Sequence, residues 1–234
     1  MLYTKDYLLE SKITYYQLEK GYRSGIEPII LAAQANENHK NILDLGCGNG
    51  TISLIIAHRF PGTNIHGFEK NTIHLKISKL NKTTNGFKNI KFTNQDVTKF
   101  NKKYLRTFDL ILSNPPFFFT HSVIMSKNKS LKDAKYITKN NLYLWIENAL
   151  KYLKINGECY LINRFENLNY MLEILKNLNA EVRIKPILSF RNSKPKNVLI
   201  MFKNSTFYKE KKLKNLIIHT KTSRYSKKIQ NWFK

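Results

Sequence analysis

Asn114-Pro115-Pro116-Phe117 follows directly on the apolar run Phe108-Asp109-Leu110-Ile111-Leu112-Ser113. Two successive prolines lack the N–H that a helix or a central strand requires, and their φ is fixed. The run therefore reads as a buried strand that stops at Asn114. The turn after it is rigid and offers one amide side chain, proline carbonyls and an aromatic ring. Those groups suit an amine on a planar system. Asn114 and a backbone carbonyl can accept both amino hydrogens, and Phe117 can stack on the ring that bears them. Taken alone, the segment is equally a strand-ending turn with a core phenylalanine.

A second constellation lies upstream. Asp44-Leu45-Gly46-Cys47-Gly48-Asn49-Gly50 separates an apolar run at 41–45 from a helical stretch at 51–59. Glycines in such a turn let the backbone bend tightly and approach a ligand closely. The spacing is one residue shorter than a dinucleotide fingerprint, and no Lys-Ser/Thr pair follows as in a triphosphate loop. Glu69 ends the next apolar run, where an acid can bind both hydroxyls of a ribose. Asp96 follows the third run. Each acid alone could be a turn or helix-cap residue. Ligands of open α/β sheets bind at the carboxyl ends of strands, so Asp44, Gly46, Glu69, Asp96 and Asn114 would converge on one crevice.

The elements that must position these groups alternate along the chain. Strands are expected at 41–45, 64–68, 89–93, 108–113, 158–162, 181–187 and 197–203, and helices at 51–59, 71–83, 142–153 and 168–178. Asn71 can cap the second helix, and Asn156-Gly157 can stop the third. Alternation of this kind implies an α/β fold with a doubly wound, mostly parallel, seven-stranded sheet. The last two strands lack an intervening helix and are expected to pair as an antiparallel hairpin. The polar stretch 118–139 reads as a long, substrate-facing loop or a disordered one.

The chain has 234 residues, 42% of them hydrophobic, which suits one domain of ordinary size. The division expected is an N-terminal segment at 1–36 with a helix leading into the site, a main domain at 37–204, and a basic aromatic extension at 205–234 packed on it. No run approaches a membrane span, no signal peptide is visible, and Cys47 and Cys159 lack metal-ligand spacing. A cytoplasmic protein without metal or membrane partner is expected. The formal charge is +24. Lysine supplies most of it, as compositional drift towards Lys, Asn and Ile also would. Residues 194–234, however, hold twelve basic residues and one acid, interleaved with Phe207, Tyr208, Tyr225, Trp232 and Phe233. That pattern fits a surface following a phosphate backbone, or a solvated lysine-rich tail.

In combination these motifs resemble class I S-adenosylmethionine-dependent methyltransferases, which have a Rossmann-like sheet, and the Asn-Pro-Pro-Phe form is similar to their amino-methylating group. The resemblance implies S-adenosyl-L-methionine as cofactor and S-adenosyl-L-homocysteine as product. It implies that Asp44, Gly46, Cys47, Gly48, Asn49 and Gly50 cradle the methionine part, that Glu69 holds the ribose, and that Asp96 meets the adenine. Asn114, Pro115, Pro116 and Phe117 would bind the target. Residues 21–33, 191–202 and 216–233 resemble the tRNA1(Val) adenine-N6 methyltransferase family, whose pre-loop segment implies that Arg23 and Glu27 join the cofactor site. That family usually carries Tyr where Phe117 stands.

The function implied is N6-methylation of an adenine in the anticodon loop of a tRNA by a monomeric enzyme. Lys127, Lys129, Lys194, Lys196, Lys211, Lys212 and Arg224 are the candidate RNA contacts. Three alternatives remain open: guanine-N2 methylation of ribosomal RNA, glutamine N5-methylation of protein, and non-catalytic RNA binding.

Overall fold

The computed structural model describes residues 3–20, 23, 25–119 and 136–233. The chain begins with an antiparallel hairpin, β1 (Tyr3–Leu8) and β2 (Ile13–Leu18). The segment before the cofactor loop is thus not simply a helix. A six-residue helix, α1 (Glu27–Ala32), follows the hairpin, with Pro28 in its first turn, where a missing N–H costs nothing.

The main sheet is then laid down as β3 (Asn41–Leu45), α2 (Thr51–Arg59), β4 (Asn64–Glu69), α3 (Thr72–Thr84), β5 (Ile90–Asn94) and β6 (Phe108–Ser113). The short strands β7 (Phe118–Phe119) and β8 (Tyr136–Ile137) pair with each other. They are followed by α4 (Lys139–Tyr152), β9 (Leu153–Arg164), α5 (Leu168–Asn177), β10 (Ala180–Leu188) and β11 (Asn197–Asn204). Across the sheet the order is β5-β4-β3-β6-β9-β11-β10. Neighbours from β5 to β9 run parallel, and β11 runs against both β9 and β10.

These seven strands are the ones the sequence pattern implies. The sheet has two more. β12 (Lys209–Lys212) and β13 (Leu216–Ile217) both lie parallel on the outer edge of β10, so the count is nine rather than seven. α4 starts at Lys139, capped by Thr138, whose Oγ1 accepts from the Asn141 N–H at 3.1 Å, rather than at 142. The helix also gives way to β9 at once, before Asn156-Gly157. Those two residues lie in the register shift between the Phe108–Leu153 and Leu110–Glu158 pairs instead of forming a helix stop. A Cβ at Gly157 would come within 2.9 Å of the Phe108 carbonyl, so close strand approach requires glycine there.

Strands buried on both faces build two cores. Ile42, Leu110, Leu112 and Ile162 point to one side, where α1, α2 and β2 cover them. Leu43, Leu45, Ile111 and Leu161 point to the other, beneath α4 and α5. The terminal helix α6 (Lys227–Gln230) inserts fully buried Ile229 into the first core, and the Arg59 guanidinium donates to the Trp232 carbonyl. Among the described residues no helix is long and apolar enough to cross a membrane.

One buried glycine ties core packing to the site. A Cβ at Gly67 on β4 would sit 2.5 Å from the Phe92 ring and 2.9 Å from Cys47 Sγ. Gly67→Ala should therefore destabilise the fold by ~1–3 kcal/mol through overpacking, read as a lower urea midpoint at unchanged m-value.

Candidate active site

Every strand that carries a candidate residue ends on the same side of the sheet. At the end of β3, Asp44 is 1% exposed, and its Oδ2 accepts from the Ser53 N–H at 3.1 Å and Oγ at 2.7 Å. Those bonds tie the strand end to the first turn of α2. Oδ1 is buried with no hydrogen-bond partner among the described residues. Burial pushes the carboxyl up to about 7, Ser53 pulls it back, and the charge of Glu69 adds to the rise. The folded state thus favours the protonated acid. The stability this group contributes is full below its ordinary value of 3.8 and is lost as pH rises to about 7.

The glycine turn above Asp44 is pinned to the next strand. The Gly46 and Cys47 amides both donate to the Phe68 carbonyl, at 3.0 and 2.9 Å. Gly46 and Gly48 have φ of +80° and +55°, conformations side chains rarely adopt. At Gly48 an added Cβ would meet nothing within 4 Å, so the backbone there faces open cleft. At Gly46 it would strike the Trp145 ring at 2.5 Å. Glu69 grips the turn from β4, with Oε2 accepting from Gly48 N–H at 2.9 Å and Oε1 from Asn71 N–H at 2.7 Å. Burial raises its carboxyl, while those two amides hold it down. Each oxygen keeps a further lone pair for a hydroxyl donor.

These groups open onto one cleft at the carboxyl ends of the strands. Of the residues singled out in the sequence, Gly46, Cys47, Gly48, Asn49, Glu69, Asn114 and Pro116 line it. Asn114 Oδ1 is buried there with no hydrogen-bond partner among the described residues. Asp44 and Gly50 lie behind the wall. Pro115 and Phe117 do not line the cleft, and the half-buried Phe117 ring packs against the first core. Asp96 turns away as well. Its Oδ1 accepts from Thr98 N–H and Oγ1, at 3.0 and 2.8 Å, and Val97 and Thr98 form the wall in its place. Arg23 pairs with Asp6 at 2.9 Å on the exposed hairpin. Glu27 Oε1 accepts from Asn197 Nδ2 at 3.0 Å, and its neighbour Pro28 lines the cleft.

Several supports have no sequence motif. Trp145, on the inner face of α4, lines the cleft and donates from Nε1 to Ser113 Oγ at 2.9 Å. That hydroxyl in turn donates to the Leu45 carbonyl at 2.7 Å, joining the ends of β3 and β6. Asn167 Nδ2 donates to the Phe117 carbonyl at 2.9 Å and to Asn163 Oδ1 at 2.7 Å. Asn163 Nδ2 reaches the Pro116 carbonyl at a long 3.5 Å. The hairpin braces the glycine turn too, since Asn81 Nδ2 bridges the carbonyls of Tyr16 and Asn49, each at 3.0 Å. Helical periodicity reads Trp145 as core, and lone asparagines beyond a strand read as turn residues.

Of the basic candidates, Lys196 and Arg224 share a second hollow at the same end of the sheet, and exposed Lys194 lies on the hairpin beside it. Lys211 and Lys212 are exposed on edge strand β12. Lys127 and Lys129 fall outside the described residues.

The methyltransferase-domain family model matches residues 36–231. A tRNA1(Val) (adenine(37)-N6)-methyltransferase of Haemophilus influenzae is 34% identical over 164 residues, covering 67% of this chain and 69% of that protein. A protein of the same name in Porphyromonas gingivalis is 26% identical over 218 residues, covering 87% and 84%. Further relatives so named are matched over 58% and 61% of their length. Among solved structures, a predicted O-methyltransferase from Agrobacterium tumefaciens superposes with a TM-score of 0.72 over 88% of this chain and 95% of its own, at 17% identity, and so shares the fold. This chain, matched by that model over most of its length, belongs to the methyltransferase-domain family of S-adenosylmethionine-dependent enzymes.

Proposed function

We propose that this chain transfers the methyl group of S-adenosylmethionine to N6 of an adenine in tRNA, the adenine at position 37 of a valine tRNA being the target that its relatives' names indicate. The observation that carries the reading is Asn114 Oδ1, a buried acceptor without a hydrogen-bond partner among the described residues, in the wall that also holds the glycine turn and Glu69. The residues fit the cofactor: Gly48 leaves its backbone bare towards the cleft, and Glu69 keeps lone pairs for a ribose. When bound, the cofactor supplies an activated methyl on a sulfonium.

What the chain must supply is position. An adenine N6 lone pair is delocalised into the ring and is a weak nucleophile. Asn114 Oδ1 and the Pro115 carbonyl would accept its two hydrogens and favour a pyramidal nitrogen with the lone pair freed for attack. Asn167 and Asn163 hold the next two carbonyls and so steady the turn that carries both acceptors, Asn114 in the cleft wall and Pro115 next to it. Phe117 or the cleft-lining Tyr136 can cover the base plane, the former only after leaving its packing on the core. Orientation of this kind contributes ~7–11 kcal/mol. The proton is acidic once nitrogen carries the methyl and can pass to water, so no dedicated base is required. Arg23, Glu27 and Asp96 are second to Glu69 as cofactor contacts in this reading, because their side chains are engaged elsewhere.

With labelled cofactor and unmodified bulk tRNA, the product nucleoside should be N6-methyladenosine by mass spectrometry. N2-methylguanosine or labelled protein would refute the reading. Asn114→Ala should lower kcat by about 10²–10³-fold, as loss of one preorganised hydrogen-bonding group does, with cofactor Kd within a few-fold by calorimetry. Asp44 supplies a pH test. Its carboxyl sits at about 7 without ligand, and a nearby cation favours the ionised form. Cofactor affinity should therefore strengthen as pH rises from 6 to 8, by up to about tenfold per unit at the acid end. Asp44→Asn should flatten that slope, and the uncharged thioether product should show less of it.

A further inference from the structure

The second hollow lies beside β10, at the carboxyl end of the sheet. Its walls include Phe190, Ser193 and Lys196 from the β10–β11 hairpin and His219, Lys221 and Arg224 from the segment after β13. Phe190 is 49% exposed, unusual for a residue with a core of this size available to it. Its ring centre is 5.3 Å from that of His219, which stacks on Tyr225 at 5.7 Å, which stacks on Phe233 at 4.9 Å. Tyr225 and Phe233 rest on the first core, so the column is anchored at its base and open at Phe190. The hairpin tip is set by Ser193, whose Oγ accepts from Phe190 N–H at 3.1 Å and donates to the Phe190 carbonyl at 2.8 Å.

Charge around the column has one sign. Lys196, Lys221 and Arg224 stand in the wall with no acid among them, and Arg191 and Lys194 are exposed on the same hairpin. A solvated lysine-rich face has no use for an exposed phenylalanine on a stack of rings, whereas a nucleotide uses both the ring and the cations. The hollow is also coupled to the amine-binding turn. The Lys196 carbonyl accepts from Phe165 N–H at 2.9 Å, and the 3-10 turn starting at Phe165 ends in Asn167, which holds the Phe117 carbonyl.

We propose that this hollow binds an unpaired nucleotide of the acceptor RNA strand near the target adenine, its base stacked on Phe190 and its phosphate held by Lys196, Lys221 and Arg224. The assignment rests on the RNA reading of the active site and adds a second point of attachment to it. Two attachments fix the strand's direction across the cleft. They also favour single-stranded loops over duplex RNA, whose bases are not free to stack on protein.

The test is steady-state methylation of unmodified tRNA together with anisotropy of a fluorescent oligouridylate. Phe190→Ala should raise KM for tRNA roughly tenfold, with kcat within about twofold and cofactor Kd unchanged, and should weaken oligouridylate binding similarly. Phe190→Trp should restore both. Arg224→Gln should lower the salt slope of RNA binding by about one, which Phe190→Ala should not. An unchanged KM and oligouridylate affinity in Phe190→Ala, or no recovery in Phe190→Trp, overturns the proposal. Should the wild-type protein methylate no tRNA, the functional reading fails separately, and Phe190-dependent binding of oligouridylate still decides the stacking site.

Discussion

Asp44 is a carboxylate where a carboxylate is costly to keep. Burial pushes its pKa up to about 7, and among the described residues one oxygen has no hydrogen-bond partner. The other is held by both hydrogen-bonding groups of Ser53, which closes the path from β3 into α2. That closure forces the intervening residues into a turn with backbone torsions only glycine accepts readily. The turn in turn presents the Gly48 amide to Glu69 and bare backbone to the cleft. An apolar pair at Asp44 and Ser53 would favour the fold by relieving desolvation, but it would remove the one buried acid here that a nearby cation can hold ionised. Local instability here is part of how the site is made.

Around that constraint the parallel sheet does one thing repeatedly. It ends each strand at the same level and hands the chain to a polar residue there. Glu69 on β4, Thr98 after β5 and Asn114 after β6 share a wall because their strands share a direction. Ser113 then locks two of the ends together, with the Trp145 indole as donor and the Leu45 carbonyl as acceptor. The N-terminal hairpin grips the same turn from outside through Asn81.

Much of this was legible in the residues. The glycine turn, Glu69 and Asn114 announced themselves because each breaks the pattern of its own strand with a chemically specific group. The β10–β11 hairpin followed from a missing helix. Phe117 and Asp96 were harder, because type and position fit the chemistry but the side chains spend themselves on core packing and on Thr98. The N-terminal hairpin gave no turn signal: Leu9, Glu10 and Ser11 adopt positive φ without a glycine among them. β12 is a run of lysines and one glutamate with no apolar period, paired through its backbone at an edge. Trp145 and Asn167 act through partners distant in sequence, which no local pattern encodes.

The reversal of β11 carries a consequence of its own. Because that one strand runs against its neighbours, the loop from β10 returns at the end of the sheet where the cleft opens. It does so as a hairpin, not as the start of a crossover. Such a loop can lengthen, shorten or change its residues without altering the register of β3, β4 or β6. The hairpin tip at residues 189–196 can therefore change while the glycine turn and buried Asp44 stay as they are.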